Sequence, residues 1–174
     1  MRILILTSTS FRHQYFVEHL KKKLNVVGVF VEEKKHYYSN IRNSSRIIRQ
    51  HFSDLQFTEE KWFGSFSGAD DLHVVPEINQ NKVVNMAIDL KPDCICLFGT
   101  SILKNKWLQH FKNRIINLHL GLSPFYRGSA TLFWPFVFKE LHYLGSTIHL
   151  AIDKVDAGSI LINLPATFVA GENY

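Results

Sequence analysis

The chain has 174 residues, of which 46% are hydrophobic, 13% aromatic and 20% charged. This length suits a single domain with a sizeable core, and the aromatic content excludes an intrinsically disordered chain. The 20 lysines and arginines exceed the 15 aspartates and glutamates, which gives a net charge of +5, but they are scattered along the chain and form neither a basic arm nor a nucleic-acid-binding motif.

Neither the apolar runs nor the cysteines indicate export or membrane insertion. The first apolar run, residues 3–6, is too short for the core of a signal peptide, and no run approaches the ~18 residues of a membrane span. Cys94 and Cys96 lie two residues apart, so on a strand they share a face and do not readily bond to each other. The sequence therefore predicts a soluble cytoplasmic protein with reduced thiols, no membrane or nucleic-acid partner, and no cysteine–histidine spacing typical of a metal site.

The first third of the chain begins with a strand–helix–strand pattern. Residues 2–7 form a short apolar run typical of a strand buried on both faces of a parallel sheet. Phe16, Leu20 and Leu24 repeat at helical spacing, and residues 26–31 form a second apolar run. This spacing predicts a βαβ unit with a right-handed crossover.

The following segment, residues 36–80, is harder to interpret. It mixes serine, asparagine, arginine and aromatic residues, and two short helices are predicted at 44–52 and 58–63. Connections in α/β units are usually about 2–6 residues long outside the helix. We therefore interpret 36–80 as an insertion or cover segment within the domain.

Regular elements return after residue 80. Hydrophobic periodicity assigns the following ranges: helices at 83–88, 102–111 and 131–140, and strands at 94–98, 115–119, 146–152 and 159–164. The alternation of helices and strands predicts an α/β fold with an open, mostly parallel, Rossmann-like sheet and helices on both faces.

Several polar side chains follow predicted strands, at the end of the sheet where ligands bind in open α/β folds. Asn117 and His119 share one strand face, and Asp156 lies in the turn after the strand that carries His149. An amide N–H can donate to a developing oxyanion, an imidazole can move a proton, and a carboxylate can orient that imidazole. The three groups suit acyl transfer to an amine, although spacing alone equally allows a hydrogen-bonded core histidine and an ordinary turn.

Four motifs resemble the 10-formyltetrahydrofolate-dependent formyltransferase family, most strongly over residues 93–164. These motifs are residues 117–119, 122–128, 145–149 and 156–161. The family includes glycinamide ribonucleotide, methionyl-tRNA and sugar N-formyltransferases. The resemblance implies that Asn117 polarises the formyl oxygen and stabilises the tetrahedral intermediate, that His119 transfers the proton, and that Asp156 assists His119.

The resemblance also implies where the two substrates bind. The pterin of the formyl donor, 10-formyltetrahydrofolate, is expected to contact Phe98, Gly99, Thr100, Ile102, Leu103, Asp153 and Val155. A strand end followed by small residues leaves space and backbone groups for such a flat heterocycle. The acceptor is assigned to Ser10, Arg12, His13, Tyr126, Arg127, Gly128 and His149. No metal is expected.

Two departures from the family narrow the choice of acceptor. Residues 8–13 contain no glycine, whereas glycinamide ribonucleotide enzymes have a glycine-rich phosphate loop there, and the chain ends at Tyr174, where the tRNA enzymes continue. The expected acceptor is a small-molecule primary amine, for example a nucleotide-linked amino sugar. We expect a single catalytic domain over 1–174, with C-terminal truncation and homodimer formation both open. Two alternatives are a formyltetrahydrofolate hydrolase and a non-catalytic folate- or nucleotide-binding fragment.

Overall fold

The structure, a computed structural model, describes residues 1–33, 45–64 and 72–167. The chain forms two compact units, Met1–Leu103 and Lys104–Tyr174. Residues 36–44 and 65–71 of the predicted insertion lie outside the described residues. Within the described ranges, every helix is too short or too polar to cross a membrane.

The first unit alternates strands and helices. In chain order its described elements are β1 (Arg2–Ser8), α1 (Phe11–Lys23), β2 (Asn25–Glu32), α2 (Arg46–Phe63), β3 (Leu72–Val75), α3 (Asn81–Asp89) and β4 (Cys94–Leu97). The strands pair in parallel in the order β3-β2-β1-β4. Residues 3–6 of β1 are at most 1% exposed, because β1 has a neighbouring strand on each side. The predicted βαβ unit and the α/β class are confirmed.

Two elements of the first unit differ from the sequence prediction. The two short helices predicted at 44–52 and 58–63 are wrong, because α2 runs unbroken for 18 residues. Residues 53–57 contain neither glycine nor proline, and Gln50 Nε2 donates to Asp54 Oδ1 over 2.8 Å, an i,i+4 contact that supports the helix through this stretch. Strand β3 was not predicted, since its four residues become a strand only by pairing with β2.

The second unit is built on antiparallel strands. Its described elements are α4 (Asn105–His110), β5 (Ile115–His119), α5 (Trp134–Val137), a 3₁₀ turn (Leu141–Tyr143), β6 (Gly145–Leu150) and β7 (Ile160–Pro165). Strand β6 pairs antiparallel with both β5 and β7. The helix predicted at 131–140 is correct only over α5, because Pro135 sits in its first turn and Lys139 adopts a φ of 58°, which ends it.

Candidate active site

Strand register brings the predicted catalytic residues of the second unit together. In the β5–β6 pairing Asn117 lies opposite His149, and His119 lies opposite Thr147. Residues two apart on a strand point to the same face, so all four side chains share one face of this pair. Asn117 Nδ2 is 3.1 Å from His149 Nε2, a direct contact across the strands.

Asp156 lies at the centre of this group. Its Oδ1 is 3.2 Å from Asn117 Nδ2 and 3.3 Å from His149 Nε2. Its Oδ2 is 3.3 Å from His119 Nδ1 and accepts the Gly128 N–H over 3.0 Å. The backbone of Asp156 has a φ of 46°, a left-handed conformation that aspartate tolerates better than most residues. One carboxyl group thus contacts the amide, both histidines and a backbone N–H.

The contacts shift the pKa values of Asp156 and His149 in opposite directions. Burial alone would raise the pKa of Asp156, but hydrogen bonds from His149 and Gly128 and the charges of the two histidines outweigh it, so the pKa is lowered. Burial alone would lower the pKa of His149, but hydrogen bonds to Asp156 and to the Leu150 carbonyl outweigh it, so the pKa is raised. Each partner stabilises the charged form of the other.

The second nitrogen of His119 contacts the loop that follows β5. Nε2 lies 2.9 Å from the backbone oxygen of Tyr126, and since a carbonyl oxygen only accepts, Nε2 carries the hydrogen of this bond. Gly121 makes this approach possible, because a Cβ there would lie 2.5 Å from His119 Nε2 and 2.7 Å from the Tyr126 oxygen. His119 is only 6% exposed, and each of its two ring nitrogens contacts a protein oxygen.

Thr147 and Asn163, which were not predicted from the sequence, hold the loop after β5 through hydrogen bonds. The hydroxyl of Thr147 accepts the Ser123 N–H over 2.9 Å and lies 2.7 Å from the Gly121 oxygen. Asn163 Oδ1 is 2.8 Å from that hydroxyl, and its Nδ2 donates to the Ser123 oxygen over 3.2 Å. The alternation of β6, which places Thr147 on the same face as His149, was the available signal for Thr147. No local pattern indicated Asn163.

Of the four acceptor residues predicted in the second unit, two contact the Asp156 carboxylate. Gly128 donates to Asp156, and His149 contacts it as described. The phenol of Tyr126 donates to Glu140, and this hydrogen bond, with smaller contributions from burial and nearby charge, raises the pKa of Tyr126 to about 12. Arg127 is exposed, and its positive charge opposes protonation of His149.

The acceptor residues predicted in the first unit are engaged with protein partners. His13 is 5% exposed, and its Nδ1 lies 2.6 Å from Ser8 Oγ and 3.0 Å from Ser10 Oγ. Arg12 forms an ion pair with Glu59, which connects α1 to α2. A role for Ser10, Arg12 and His13 in acceptor binding stays a prediction.

The residues predicted to contact the formyl donor are divided between the units. In the first unit they form a loop after β4 in which Phe98 and Leu103 are buried and Ile102 is 69% exposed. In the second unit, Asp153 and Val155 are exposed in the turn that carries Asp156. The assignment of these residues to the formyl donor stays a prediction.

The expectation that no metal is bound stays a prediction, and the described part of the chain adds one observation to it. No group of three or more His, Cys, Asp or Glu side chains there is arranged to hold a metal ion. Cys94 and Cys96 are reduced thiols, and burial, with the neighbouring Cys94, raises the pKa of Cys96 to about 11. A thiol with such a pKa is unreactive at neutral pH.

Comparison with known sequences gives one consistent result. A profile of the formyl transferase family matches residues 1–172. The chain is 34% identical over 114 residues to the bifunctional polymyxin resistance protein ArnA of Wigglesworthia glossinidia brevipalpis, covering 62% of this chain and 17% of that protein. It is 27% identical over 164 residues to a methionyl-tRNA formyltransferase of Borreliella burgdorferi (strain ZS7), covering 93% and 47%. The chain thus spans less than half the length of these relatives.

Solved structures show the same fold at lower identity. A phosphoribosylglycinamide formyltransferase from Anaplasma phagocytophilum superposes with a TM-score of 0.66 at 17% identity, covering 99% of this chain and 75% of that one. A sugar N-formyltransferase from Shewanella sp. FDAARGOS_354 gives a TM-score of 0.60 at 16% identity, covering 97% and 58%. At these identities the likeness establishes the fold alone.

Proposed function

Because the chain belongs to the formyl transferase family, we propose that it transfers a formyl group from 10-formyltetrahydrofolate to a primary amine of a small molecule. The observation that carries this proposal is the Asp156 carboxylate, which contacts Asn117, His119 and His149 together. Amide donor, proton carrier and orienting carboxylate are the groups that acyl transfer to an amine requires. The donor supplies an activated formyl carbon, and the protein's residues bind, orient and move protons around it.

Asn117 donates to the oxygen that becomes negative as the amine attacks. In the structure its amide nitrogen faces two acceptors, His149 Nε2 at 3.1 Å and Asp156 Oδ1 at 3.2 Å. When His149 takes a proton on Nε2, that nitrogen becomes a donor and no longer accepts from Asn117. In this proposal the Asn117 amide then turns this N–H away from His149 and donates it to the oxyanion.

His119 carries the proton between the attacking amine and the leaving nitrogen. Its Nδ1 faces Asp156, so Nε2 is the nitrogen that exchanges protons with the substrates. Nε2 donates to the Tyr126 oxygen in the structure, so taking the amine proton requires that this bond breaks and that the ring hydrogen sits on Nδ1, which faces Asp156. Asp156 keeps the ring in one orientation through the contact between its Oδ2 and His119 Nδ1.

The acceptor that we propose is a nucleotide-linked amino sugar. Sugar N-formyltransferases are among the proteins that share the fold, and the glycine-free segment 8–13 differs from the loop expected of glycinamide ribonucleotide enzymes. Arg127 is exposed close enough to influence His149, so it offers a positive charge to a phosphate near the amine. By the family resemblance, residues 98–103 of the first unit contact the pterin of the donor.

The test is a transfer assay with 10-formyltetrahydrofolate and a panel of nucleotide-linked amino sugars. We expect mass spectrometry to detect one added formyl group on an acceptor, with tetrahydrofolate released in equal amount. Asn117→Ala should reduce the rate by about 10²–10³-fold, the usual effect of removing an oxyanion donor. Formyl release that does not depend on any amine would instead identify a hydrolase. Donor binding without turnover of any kind would identify a non-catalytic folate-binding protein.

A further inference from the structure

Glu32, the last residue of β2, is a buried acidic residue that none of the proposed chemistry uses. It is 3% exposed, although glutamate is among the residues least often buried without a partner. Its Oε1 accepts the Ile78 N–H over 2.9 Å, and its Oε2 accepts the Ser101 N–H over 2.6 Å. Both partners are backbone groups of the same unit, one from the segment after β3 and the other from the loop after β4.

The loop that Glu32 contacts is the part of the first unit assigned to the formyl donor. We call residues 98–103 the donor loop. Its two ends are held by neutral hydrogen bonds, from Thr7 Oγ1 to the Phe98 oxygen over 2.9 Å and from Asn79 Nδ2 to the Ile102 oxygen over 3.0 Å. Between them the Ser101 N–H binds the Glu32 carboxyl group, and hydrogen bonds to charged groups are the stronger class.

Both carboxyl oxygens of Glu32 serve as hydrogen-bond acceptors. Two N–H groups converge on one side chain from different loops, and each would be left without this acceptor if Glu32 were removed. A glutamine in the same place accepts only one of them, because its NH₂ group would face the other N–H donor. An aspartate keeps both acceptors on a shorter side chain. Glu32 therefore fits its position through its charge and its length together.

We propose that Glu32 is a positioning residue for the formyl donor: it fixes the Ser101 amide, and with it the backbone of the donor loop, in the conformation that receives the pterin. This inference rests on the proposed function, because that function assigns the loop to the donor. Glu32 does not contact the donor and acts through the loop. A binding surface whose backbone is held before the ligand arrives loses less conformational entropy on binding.

The variant that tests this is Glu32→Gln, with Glu77→Gln as the matched control. Glu77 is exposed and adjacent to Ile78, so its substitution removes the same charge from the same segment without touching the two hydrogen bonds. Two measurements are made on each protein: hydrogen exchange over residues 99–103, and calorimetric titration with 5-formyltetrahydrofolate, a stable analogue of the donor. For Glu32→Gln we expect faster exchange in the donor loop and about tenfold weaker binding, the consequence of losing one hydrogen bond to a charged group.

Kinetics separate positioning from a general loss of stability. Glu32→Gln should raise the KM for the donor about tenfold while kcat at saturating donor and the KM for the acceptor stay at the wild-type values. Glu32→Asp, which keeps the charge, should recover part of the donor affinity and provides a folded variant if Glu32→Gln does not fold. Equal donor affinity in Glu32→Gln and wild type, or an equal loss in Glu77→Gln, overturns the inference.

The outcomes also distinguish this inference from the proposed function. If the wild-type protein binds no 5-formyltetrahydrofolate, the donor assignment fails and the positioning role fails with it. In that case the exchange measurement still shows whether Glu32 holds the loop as a structural contact. If the wild type binds and Glu32→Gln binds equally well, the proposed function stands and only the role of Glu32 is wrong.

Discussion

Replacing Asp156 by asparagine tests the central feature of the candidate active site. The substitution keeps the size of the side chain but removes its charge and turns one of its two acceptor atoms into an NH₂ donor. If the NH₂ group takes the position of Oδ1, it faces Asn117 Nδ2, and if it takes that of Oδ2, it faces the Gly128 N–H. In either orientation one donor loses its acceptor, and the contacts to both histidines lose the negative charge.

The size of the effect follows from these contacts. A hydrogen bond to a charged group contributes about 1.5–3 kcal/mol, and this loss is partly offset because a neutral amide costs less to bury than a carboxylate. We expect the free energy of unfolding to fall by about 1–3 kcal/mol at neutral pH. We expect the rate of formyl transfer to fall by about 10²–10⁴-fold, because His119 loses the group that orients it.

The assay measures unfolding in denaturant and steady-state formyl transfer for wild type, Asp156→Asn and Asp89→Asn. Asp89 is exposed at the end of α3, so its variant controls for loss of a carboxylate elsewhere. A transfer rate for Asp156→Asn within about twofold of wild type would refute the role we assign to the carboxylate, since general acid–base catalysis is worth far more than that. A normal unfolding curve combined with a large loss of rate would locate the effect in catalysis alone.

Three further predictions concern the surroundings of this carboxylate. Thr147→Val leaves the buried Ser123 N–H without an acceptor and should lower the free energy of unfolding by about 1–3 kcal/mol in a denaturant titration. His149 has a raised pKa, so its stabilising contribution is complete below the pKa of an unfolded histidine, near 6.5, and is lost as the pH rises through the pKa of the folded state. The difference in free energy of unfolding between wild type and His149→Gln should therefore shrink with increasing pH. Removing the hydrogen bond that raises the pKa of Tyr126, by Glu140→Gln, should move its ultraviolet absorbance titration from about 12 towards the usual tyrosine pKa of about 10. An unchanged titration would contradict the hydrogen bond.

Local signals in the sequence were sufficient for the elements whose hydrophobic pattern is strong. The run at residues 2–7 became β1, and the prediction of a strand at 115–119 matches β5 at both ends. Buried strands need apolar side chains on both faces, and few other structures tolerate such a run. Periodicity was less reliable where a helix could continue without a breaker, as in α2, or where a backbone conformation ended it early, as at Lys139.

The chemistry of the site was predictable in part. Strand alternation placed Asn117 and His119 on one face, and the family resemblance added Asp156. The sequence did not indicate that Thr147 and Asn163 hold the loop after β5, because their partners lie between 16 and 40 residues away. The sequence did not indicate the contacts of Glu32 either, because its partners are 46 and 69 residues away.

The sequence by itself determined the α/β class, the family and the types of group available for catalysis, because these depend on local patterns and on short motifs. The tertiary structure alone decided which acceptor each N–H meets. Asp156 reaches four groups from three parts of the chain only because antiparallel pairing brings β5 beside β6 and the turn after β6 adopts a left-handed backbone at Asp156. Because Asp156 is partly buried, these contacts determine whether its carboxylate is stable. A carboxylate away from water is stable only where charges and hydrogen-bond donors surround it.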